Sequence, residues 1–403
     1  MQRFKRAAAL VAALAFVSAS ASAEEGMWTF DNIPTQRIQR ALGWAPDQAW
    51  LNTVMAGTAR IPGCSASNVS GAGLLLTNHH CVTACISALS TAQENFLDNG
   101  FFTRAREEER RCPGMSVQVL TGIEDVTSRI EAATASAGAE GFVRARDAEI
   151  SAIERACAEG VRCEVVTLYQ GGRYALYRYN RYDDVRLVFA PEASVAAFGG
   201  DPDNFNFPRY CLDFALLRLY VDGAPAETPA HLSMRFTPPE AGEVTFVAGN
   251  PGGTSRLRAS AQLAFERDVV LPWQLTNLAE TRGRVIAYAR QGADQARIAA
   301  TTLESVENTY KALWGRRMAL TDPQGFARVT AAEADLQARV ARNAAAQRVT
   351  GDPWSEIAAA QETYRDIFYA YQHLEARAGE RSMLFAYARD IVRAAAERER
   401  GDA

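Results

Sequence analysis

The alternation of apolar and polar residues predicts a β-rich first part of the chain. The four residues Leu74–Thr77 follow the turn sequence Gly71-Ala72-Gly73 and are typical of a short buried strand. The pair Gly171-Gly172 lies between two further apolar segments and indicates a hairpin turn. Strand character is found over residues 50–82, 165–189, 214–220 and 244–248. A β core is therefore expected before residue 270.

Two other parts of the chain have apolar residues three or four positions apart, which predicts amphipathic helices. One extends from about Cys85 to Gly160 and interrupts the β core. The other begins near Leu271 and continues to residue 403. We therefore expect a leader at 1–23, a β region at 24–270 with a helical excursion at about 85–160, and a helical region at 271–403.

The first 23 residues contain the three parts of a secretory signal. These are a positive start (Arg3, Lys5, Arg6), a short apolar run (Ala7–Val17) and small residues for cleavage (Ala21-Ser22-Ala23). The run is too short to cross a bilayer as a permanent helix, and no later stretch is apolar enough to do so. We expect cleavage after about Ala23, a periplasmic or secreted product, and no membrane anchor.

The charge of the chain argues against nucleic acid as a partner. The 403 residues contain 43 basic and 47 acidic residues, for a formal net charge of −4. The leader contains three basic residues and no acidic one, so its removal changes this charge to −7. Binding to phosphate backbones needs a basic face, which this composition does not favour.

All seven cysteines follow the leader, and in an oxidising compartment they are candidates for disulfides. Cys157 and Cys163 are close enough in sequence to close a small loop, and Cys64 with Cys81 would join neighbouring strands. Because seven is odd, one thiol is free or has its partner elsewhere. No cysteine has the spacing to histidine that a zinc site requires, so no metal and no cofactor are expected.

The four histidines differ in their sequence context. His79 and His80 stand directly after the strand Leu74–Thr77 and before Cys81. Neighbours on an extended segment point to opposite sides, so the two are not expected to chelate one metal. His231 and His373 have no supporting context. A histidine before a cysteine at a strand end is the usual setting of the general base in trypsin-like peptidases, although two histidines at a strand end can also be structural.

A second candidate is the aspartate of Asp213-Phe214-Ala215-Leu216-Leu217, at the start of an apolar strand. By itself it would be a turn residue. Trypsin-like peptidases nevertheless place in this setting the aspartate that orients the histidine, and the order histidine then aspartate fits that fold. The pair His80 and Asp213 is therefore a stronger signal than either residue alone.

No convincing nucleophile completes the pair. The sequence contains no Gly-Asp-Ser-Gly, no Gly-Asn-Ser-Gly and no Gly-x-Ser-x-Gly elbow. Ser255, after the turn sequence Gly249-Asn250-Pro251-Gly252, is the nearest substitute and lacks the expected context. Ser70 precedes the strand that leads to His80, and neither serine is expected to be the nucleophile.

With these segments in view, the chain resembles the dipeptidyl-peptidase 7 and 11 family, which are bacterial periplasmic serine exopeptidases. The resemblance is carried by residues 25–28, 64–67, 73–81, 182–188, 198–205, 208–209, 213–214 and 249–252. It implies a β + α fold, a chymotrypsin-like double β-barrel with a large inserted all-α domain. It also implies that the second barrel is incomplete here and that the chain is truncated at its C-terminal side, before the serine.

The resemblance implies the roles of five residues. His80 would be the general base and Asp213 its orienting partner. Asn204 and the aromatic Phe205, where the family usually has tryptophan, would bind the free N-terminal amine of a peptide. Asn308, in the helical region, is the best match for a further asparagine of the same subsite, although a helix-surface asparagine is nearly as good an interpretation.

Two hypotheses follow from the sequence. The first is a serine-type dipeptidyl-peptidase that releases dipeptides from the free N-terminus of oligopeptides, with a His-Asp-Ser triad whose serine is missing from this chain. The alternative is a catalytically inactive periplasmic peptide-binding or scaffold protein. Because the family tends to dimerise, the resemblance also implies a homodimer for a full-length chain.

Overall fold

The computed structural model describes residues 26–91, 93–196, 210–251, 258–376 and 382–400. They form a mixed α/β structure with a large antiparallel sheet and many helices. The chain divides into two compact units, one before and one after about residue 254. The predicted signal segment, Asn204, Phe205 and Ser255 lie outside the described residues.

In the part of the first unit that the structure describes, eleven strands form one antiparallel sheet. They are β1 (Thr58–Ile61), β2 (Cys64–Asn68), β3 (Leu74–Thr77), β4 (Phe101–Phe102), β5 (Arg110–Arg111), β6 (Val117–Asp125), β7 (Val161–Leu168), β8 (Arg173–Tyr182), β9 (Asp184–Ala190), β10 (Ala215–Val221) and β11 (Ala224–Pro225). The strand order is β4-β9-β10-β3-β2-β1-β6-β8-β7, with β11 on β10 and β5 on β9.

Within the described residues of the first unit, seven α-helices accompany this sheet. They are α1 (Thr35–Leu42), α2 (Gln48–Gly57), α3 (Thr83–Leu89), α4 (Phe96–Asn99), α5 (Thr127–Thr134), α6 (Gly138–Arg155) and α7 (Ala193–Ala196). Ile86 of α3 joins Leu75, Leu187 and Leu217 in the main apolar core, and all four are fully buried. On β10 every second residue from Ala215 to Leu219 is buried, which is the period expected of a strand with one face on a core.

The predicted helical excursion at about 85–160 is wrong in its middle part. Strands β4, β5 and β6 lie there, and β6 pairs with β1 through Ala59 and Val119 and with β8 over most of its length. Val117 and Val119 are buried on alternate positions. Pairing with distant strands therefore decides the conformation of a segment whose local composition favours a helix.

The predicted strand at Val244–Ala248 is also not present. Among the described residues no strand pairs with this segment, and without a neighbour its backbone cannot form a ladder. Phe246 instead packs against the rings of Trp44 and Trp50, with centroids 5.6 and 5.2 Å away. The side chain of Val247 is fully exposed.

The second unit is helical, as the sequence predicts. Its helices are α8 (Ser260–Phe265), α9 (Leu271–Ala289), α10 (Ala293–Thr321), α11 (Pro323–Ala341), α12 (Ala344–Thr350), α13 (Pro353–Leu374) and α14 (Met383–Arg400). A π-helical turn, Glu266–Val270, joins α8 to α9 without a break. The predicted boundary near residue 270 therefore falls inside a continuous helix that begins at Ser260.

Polar caps mark where these helices start. The side chain of Asp322 accepts backbone N–H groups at the first turn of α11, and Asp352 does the same at α13. Each aspartate is followed by a proline at the first helical position, where its missing N–H is not needed.

At the core of the unit Phe368 is fully buried and packs against Phe265 and Trp273. No helix among the described ranges is long and apolar enough to cross a membrane.

Candidate active site

The pairing of β3 with β10 brings the two predicted residues of the His–Asp pair together. Ala215, the first residue of β10, lies opposite Thr77, the last residue of β3. In an antiparallel pair the residues that follow one strand meet the residues that precede the other. His80, three residues after Thr77, therefore lies beside Asp213, two residues before Ala215.

Asp213 holds His80 through two hydrogen bonds. Its Oδ2 lies 2.8 Å from Nδ1 of the imidazole, and its Oδ1 accepts the backbone N–H of His80 at 3.1 Å. Because an ionised carboxylate only accepts hydrogen bonds, Nδ1 donates its N–H to Asp213, and in the neutral ring the lone pair is then on Nε2. The side chain of Asp213 is 13% exposed and that of His80 is 60% exposed. An imidazole held in this way can act as a general base through Nε2.

Asn78 is a further member of the site that sequence reasoning missed. Its Nδ2 donates to the backbone carbonyl of Asp213 at 3.0 Å and lies 3.3 Å from Oδ2 of the same residue. The aspartate thus receives donors from Asn78, from the His80 backbone and from the His80 ring. The available signal was an amide side chain directly after an apolar strand and two residues before the histidine.

A disulfide lies beside the imidazole. Cys81 follows His80 and is bonded to Cys64, the first residue of β2. The sulfur of Cys64 lies 4.0 Å from Nε2 of His80. The disulfide therefore ties the segment that carries His80 to the neighbouring hairpin, as the sequence predicts.

The other cysteines complete the pattern. The predicted pairing of Cys157 with Cys163 is present. A third disulfide, Cys85–Cys112, was not predicted, because it joins α3 to the loop before β6 across the core. The remaining cysteine, Cys211, is in no disulfide. One cysteine is thus left over, as the odd count requires.

A buried ion pair supports β10 near its far end. Glu109 accepts from Arg218 at 2.9 Å and from the hydroxyl of Tyr220 at 2.9 Å. The side chains of Glu109 and Arg218 are 2% and 14% exposed. Arg218 also donates to the carbonyl of Ala72, in the turn before β3. This pair therefore joins the two strands whose ends meet at the site.

The other histidines do not join His80. His79 is buried while His80 is exposed, as expected of neighbours on an extended segment. The Nδ1 of His231 lies 3.1 Å from the carbonyl of Thr228, and that of His373 lies 2.7 Å from the carbonyl of Tyr369. Both contacts are local ones within four residues.

The remaining predicted residues are distributed over the chain. Asn308 is exposed on α10 of the helical unit. The hydroxyl of Ser70 accepts the backbone N–H groups of Ala72 and Leu74 at 3.2 Å, so it stabilises the turn before β3. Asn204 and Phe205, predicted to bind an amine, are outside the described residues.

The chain belongs to the peptidase S46 family. The family model of peptidase S46 matches residues 23–403. Among curated relatives, the dipeptidyl-peptidase 7 of Porphyromonas endodontalis is 33% identical over 281 residues, which are 64% of this chain and 34% of the relative. The Asp/Glu-specific dipeptidyl-peptidase of Shewanella putrefaciens is 31% identical over 326 residues, 76% of this chain and 44% of the relative.

A solved structure agrees with this assignment. The chain is similar to DPP11 of Porphyromonas endodontalis in complex with the dipeptide Arg-Glu, with a TM-score of 0.71 and 25% identity. The match covers 88% of this chain and 54% of that one. The chain thus spans about half the length of the relatives it matches.

Proposed function

We propose that this chain carries the general-base half of a serine-type dipeptidyl-peptidase, an enzyme that releases dipeptides from the free N-terminus of oligopeptides. The observation that carries the proposal is the contact of His80 Nδ1 with Asp213 Oδ2 at 2.8 Å. In this arrangement Nε2 removes a proton from a serine hydroxyl and returns it to the leaving amine. Asp213 orients the ring and stabilises the imidazolium that forms.

The proposal also concerns the fold of the enzyme and the source of its nucleophilic serine. Under this proposal the sheet of the first unit belongs to a chymotrypsin-like arrangement of two barrels, and the helical unit is the inserted domain. The triad serine is not supplied by residues 1–403, because no serine here stands in a glycine-rich turn of the required kind.

Asn204, Phe205 and Asn308 are proposed to hold the substrate amine. Amide oxygens accept hydrogen bonds from an ammonium group, and an aromatic face attracts a cation and excludes water. If the N-terminal amine of the substrate is held at a constant distance from His80, the peptide bond after the second substrate residue lies next to the imidazole. Cleavage of that bond releases a dipeptide.

One relative is named dipeptidyl-peptidase 7 and another Asp/Glu-specific dipeptidyl-peptidase, so the substrate class proposed here is oligopeptides with a free amine, without a choice of side chain. The leader at 1–23 supports export to the periplasm or outside the cell. A homodimer is proposed for the protein in its full length.

The proposal is tested on two products, the 403-residue chain and the product of any in-frame continuation past the codon for Ala403. Both are assayed with fluorogenic dipeptidyl substrates that have acidic or apolar second residues, with free and with acetylated amines. We expect the longer product to cleave only the free-amine substrates, and His80→Ala or Asp213→Ala to abolish the turnover. We expect the 403-residue chain to cleave none of these substrates.

Two results would contradict parts of this proposal. Turnover by the 403-residue chain that is lost in Ser255→Ala would show that the nucleophile is present after all. A gene with no continuation, together with calorimetric binding of free-amine but not acetylated oligopeptides, would favour the non-catalytic peptide-binding alternative. The missing glycine-rich serine turn is the observation on which that alternative rests.

A further inference from the structure

Ser65 lies at the start of β2 and contacts two other segments of the chain. Its backbone carbonyl accepts a hydrogen bond at 2.8 Å from the hydroxyl of Thr77, the last residue of β3. Its own hydroxyl oxygen accepts the backbone N–H of Asn250 at 2.6 Å. His80 comes three residues after Thr77. Ser65 therefore connects the strand that leads to His80 with the segment Gly249-Asn250.

This segment approaches Ser65 closely because residue 249 has no side chain. A Cβ at Gly249 would lie 2.9 Å from Oγ of Ser65 and 3.4 Å from its Cβ. Gly249 is not among the glycines with positive φ, so a glycine is needed here for space and not for a left-handed backbone. Asn250 also donates through Nδ2 to the carbonyl of Ala59 in β1, at 3.4 Å. The segment is thus held against both strands of the β1–β2 hairpin.

Strand β2 is held from both of its faces at this point. Successive side chains of a strand point to opposite faces. Cys64 and Ala66 pack with the main apolar core, so Ser65 between them faces the other side, where the N–H of Asn250 meets it. On the core side Cys64 is bonded to Cys81. Two consecutive residues therefore hold β2, one through a disulfide and the other through a hydrogen bond.

We propose that Ser65 is a positioning residue of the His80 site, a role that rests on the proposed function as a peptidase. The start of β2 carries Sγ of Cys64, which lies 4.0 Å from Nε2 of His80. The hydroxyl of Ser65 keeps this strand end in place against the segment Gly249-Asn250. Ser65 thus acts through its neighbours Cys64 and Thr77 and not on the reacting atoms. Because misplacement of a catalytic group by about 1 Å can reduce the rate by about 100-fold, a base requires such support.

Ser67 is the matched residue for comparison. It is the next residue on the same face of β2 and is half-buried like Ser65. Within the described part of the chain its hydroxyl makes no hydrogen bond. If Ser65 were only one more polar residue on this strand, replacement of either serine by alanine would have the same effect on His80.

The first experiment uses the 403-residue chain and needs no catalytic activity. It measures by ¹H–¹⁵N NMR the signals of the His80 ring and of the His80 backbone N–H, which donates to Asp213 at 3.1 Å. In Ser65→Ala we expect both signals to shift. We also expect this N–H to exchange with deuterium about fivefold faster, which corresponds to the loss of one hydrogen bond. Ser67→Ala should change neither signal, and the ring signals of His231 should be the same in all variants.

A double-mutant cycle tests the contact between Ser65 and Gly249. In the wild-type background Gly249→Ala places a Cβ 2.9 Å from the hydroxyl oxygen, whereas in Ser65→Ala the nearest side-chain atom of residue 65 is its Cβ, 3.4 Å away. We therefore expect Gly249→Ala to shift the His80 signals more in the wild type than in Ser65→Ala, because effects at contacting residues do not add. Gly122→Ala is the control, since a Cβ there meets no atom within 4 Å, and it should have the same effect in both backgrounds.

A kinetic measurement separates this role from the proposed function. In the longer product that tests the peptidase, Ser65→Ala should lower kcat about fivefold and leave KM unchanged, since Ser65 acts on the base and not on the substrate. Ser67→Ala should keep the wild-type values. A longer product without turnover, in a protein whose NMR signals behave as expected, would contradict the peptidase proposal alone and would support the positioning of His80 by Ser65.

Two outcomes would overturn the inference. One is a set of His80 signals that is the same in Ser65→Ala as in Ser67→Ala. The other is an equal effect of Gly249→Ala in both backgrounds, which would show that residue 249 does not lie against the hydroxyl of Ser65. If Gly249→Ala fails to fold, the comparison of Ser65→Ala with Ser67→Ala decides the question.

Discussion

The carboxylate of Asp213 contacts His80 at two places, the ring Nδ1 at 2.8 Å and the backbone N–H at 3.1 Å. One side chain thus determines both the rotation of the imidazole and the path of the backbone that carries it. Since the two oxygens have separate partners, a substitution at Asp213 changes the ring and the backbone in different ways.

The first prediction concerns the tautomer of His80. In Asp213→Asn the amide oxygen accepts the backbone N–H, so the new NH₂ group faces Nδ1 and donates to it. We expect the ring to change from the Nδ1–H form to the Nε2–H form, which cannot act as a base. The measurement is the ¹⁵N chemical shifts of labelled histidine, with four side chains to assign.

The exposed substitution Asp222→Asn is the control for this measurement, and His80→Gln identifies the His80 signals. If the His80 ring of the wild-type protein carries its proton on Nε2, Asp213 does not orient this ring in solution.

The second prediction concerns Asn78. Asn78→Ala removes the donor to the Asp213 carbonyl at 3.0 Å, and such a bond contributes about 1 kcal/mol to the free energy of unfolding. We expect a loss of that size in urea unfolding and a broadened His80 ring signal. Asn52→Ala, on the exposed face of α2, is the control and should change neither. If Asn78→Ala changes the free energy of unfolding no more than Asn52→Ala does, Asn78 does not hold Asp213.

The third prediction concerns the buried ion pair of β10. Arg218→Ala leaves Glu109, whose side chain is 2% exposed, without its cationic partner. Removal of one member of a buried pair costs about 3–5 kcal/mol, and urea unfolding should show it. In the matched control Arg284→Ala the partner Glu280 is 61% exposed, so a change within about 0.5 kcal/mol is expected. Similar losses in both variants would contradict the structural role of the Glu109–Arg218 pair.

The fourth prediction concerns alkaline pH. Burial, with a smaller contribution from the charge of Asp31, raises the pKa of Tyr177 to about 12. The unfolded chain therefore loses this proton first, from about pH 10, and stability falls as the pH rises from about 10 to 12. Ultraviolet titration of the phenolates should show a late component that is smaller by one tyrosine in Tyr177→Phe, because the pKa values of Tyr179, Tyr182 and Tyr220 are raised as well. A late component of the same size in the wild type and in Tyr177→Phe would refute the environment described for Tyr177.

Part of this structure follows from local sequence. The strand periods of β3 and β10 are readable because each alternates between a buried and a partly exposed face. The hairpin at Gly171-Gly172 and the helices after Ser260 follow from turn residues and from three-to-four spacing. His80 and Asp213 were found by their positions at strand ends, and Cys64–Cys81 and Cys157–Cys163 by their proximity.

Other features depend on residues far apart in the chain. Strand β6 exists because β1 and β8 accept its backbone hydrogen bonds, and Val244–Ala248 has no such partner among the described strands. Cys85 and Cys112 meet only when α3 packs on the core. Asn78 became part of the site only when β10 brought Asp213 within reach of its amide.

The sequence by itself determined the residue types, the strands that carry them and the order histidine before aspartate, because these depend on periodicity and on turns over a few residues. Only the tertiary structure decided that Asp213, 133 positions after His80, lies 2.8 Å from its ring. The register of β3 against β10 brings these strand ends together. That register is a property of side chains packed across the sheet and cannot be read from either segment alone.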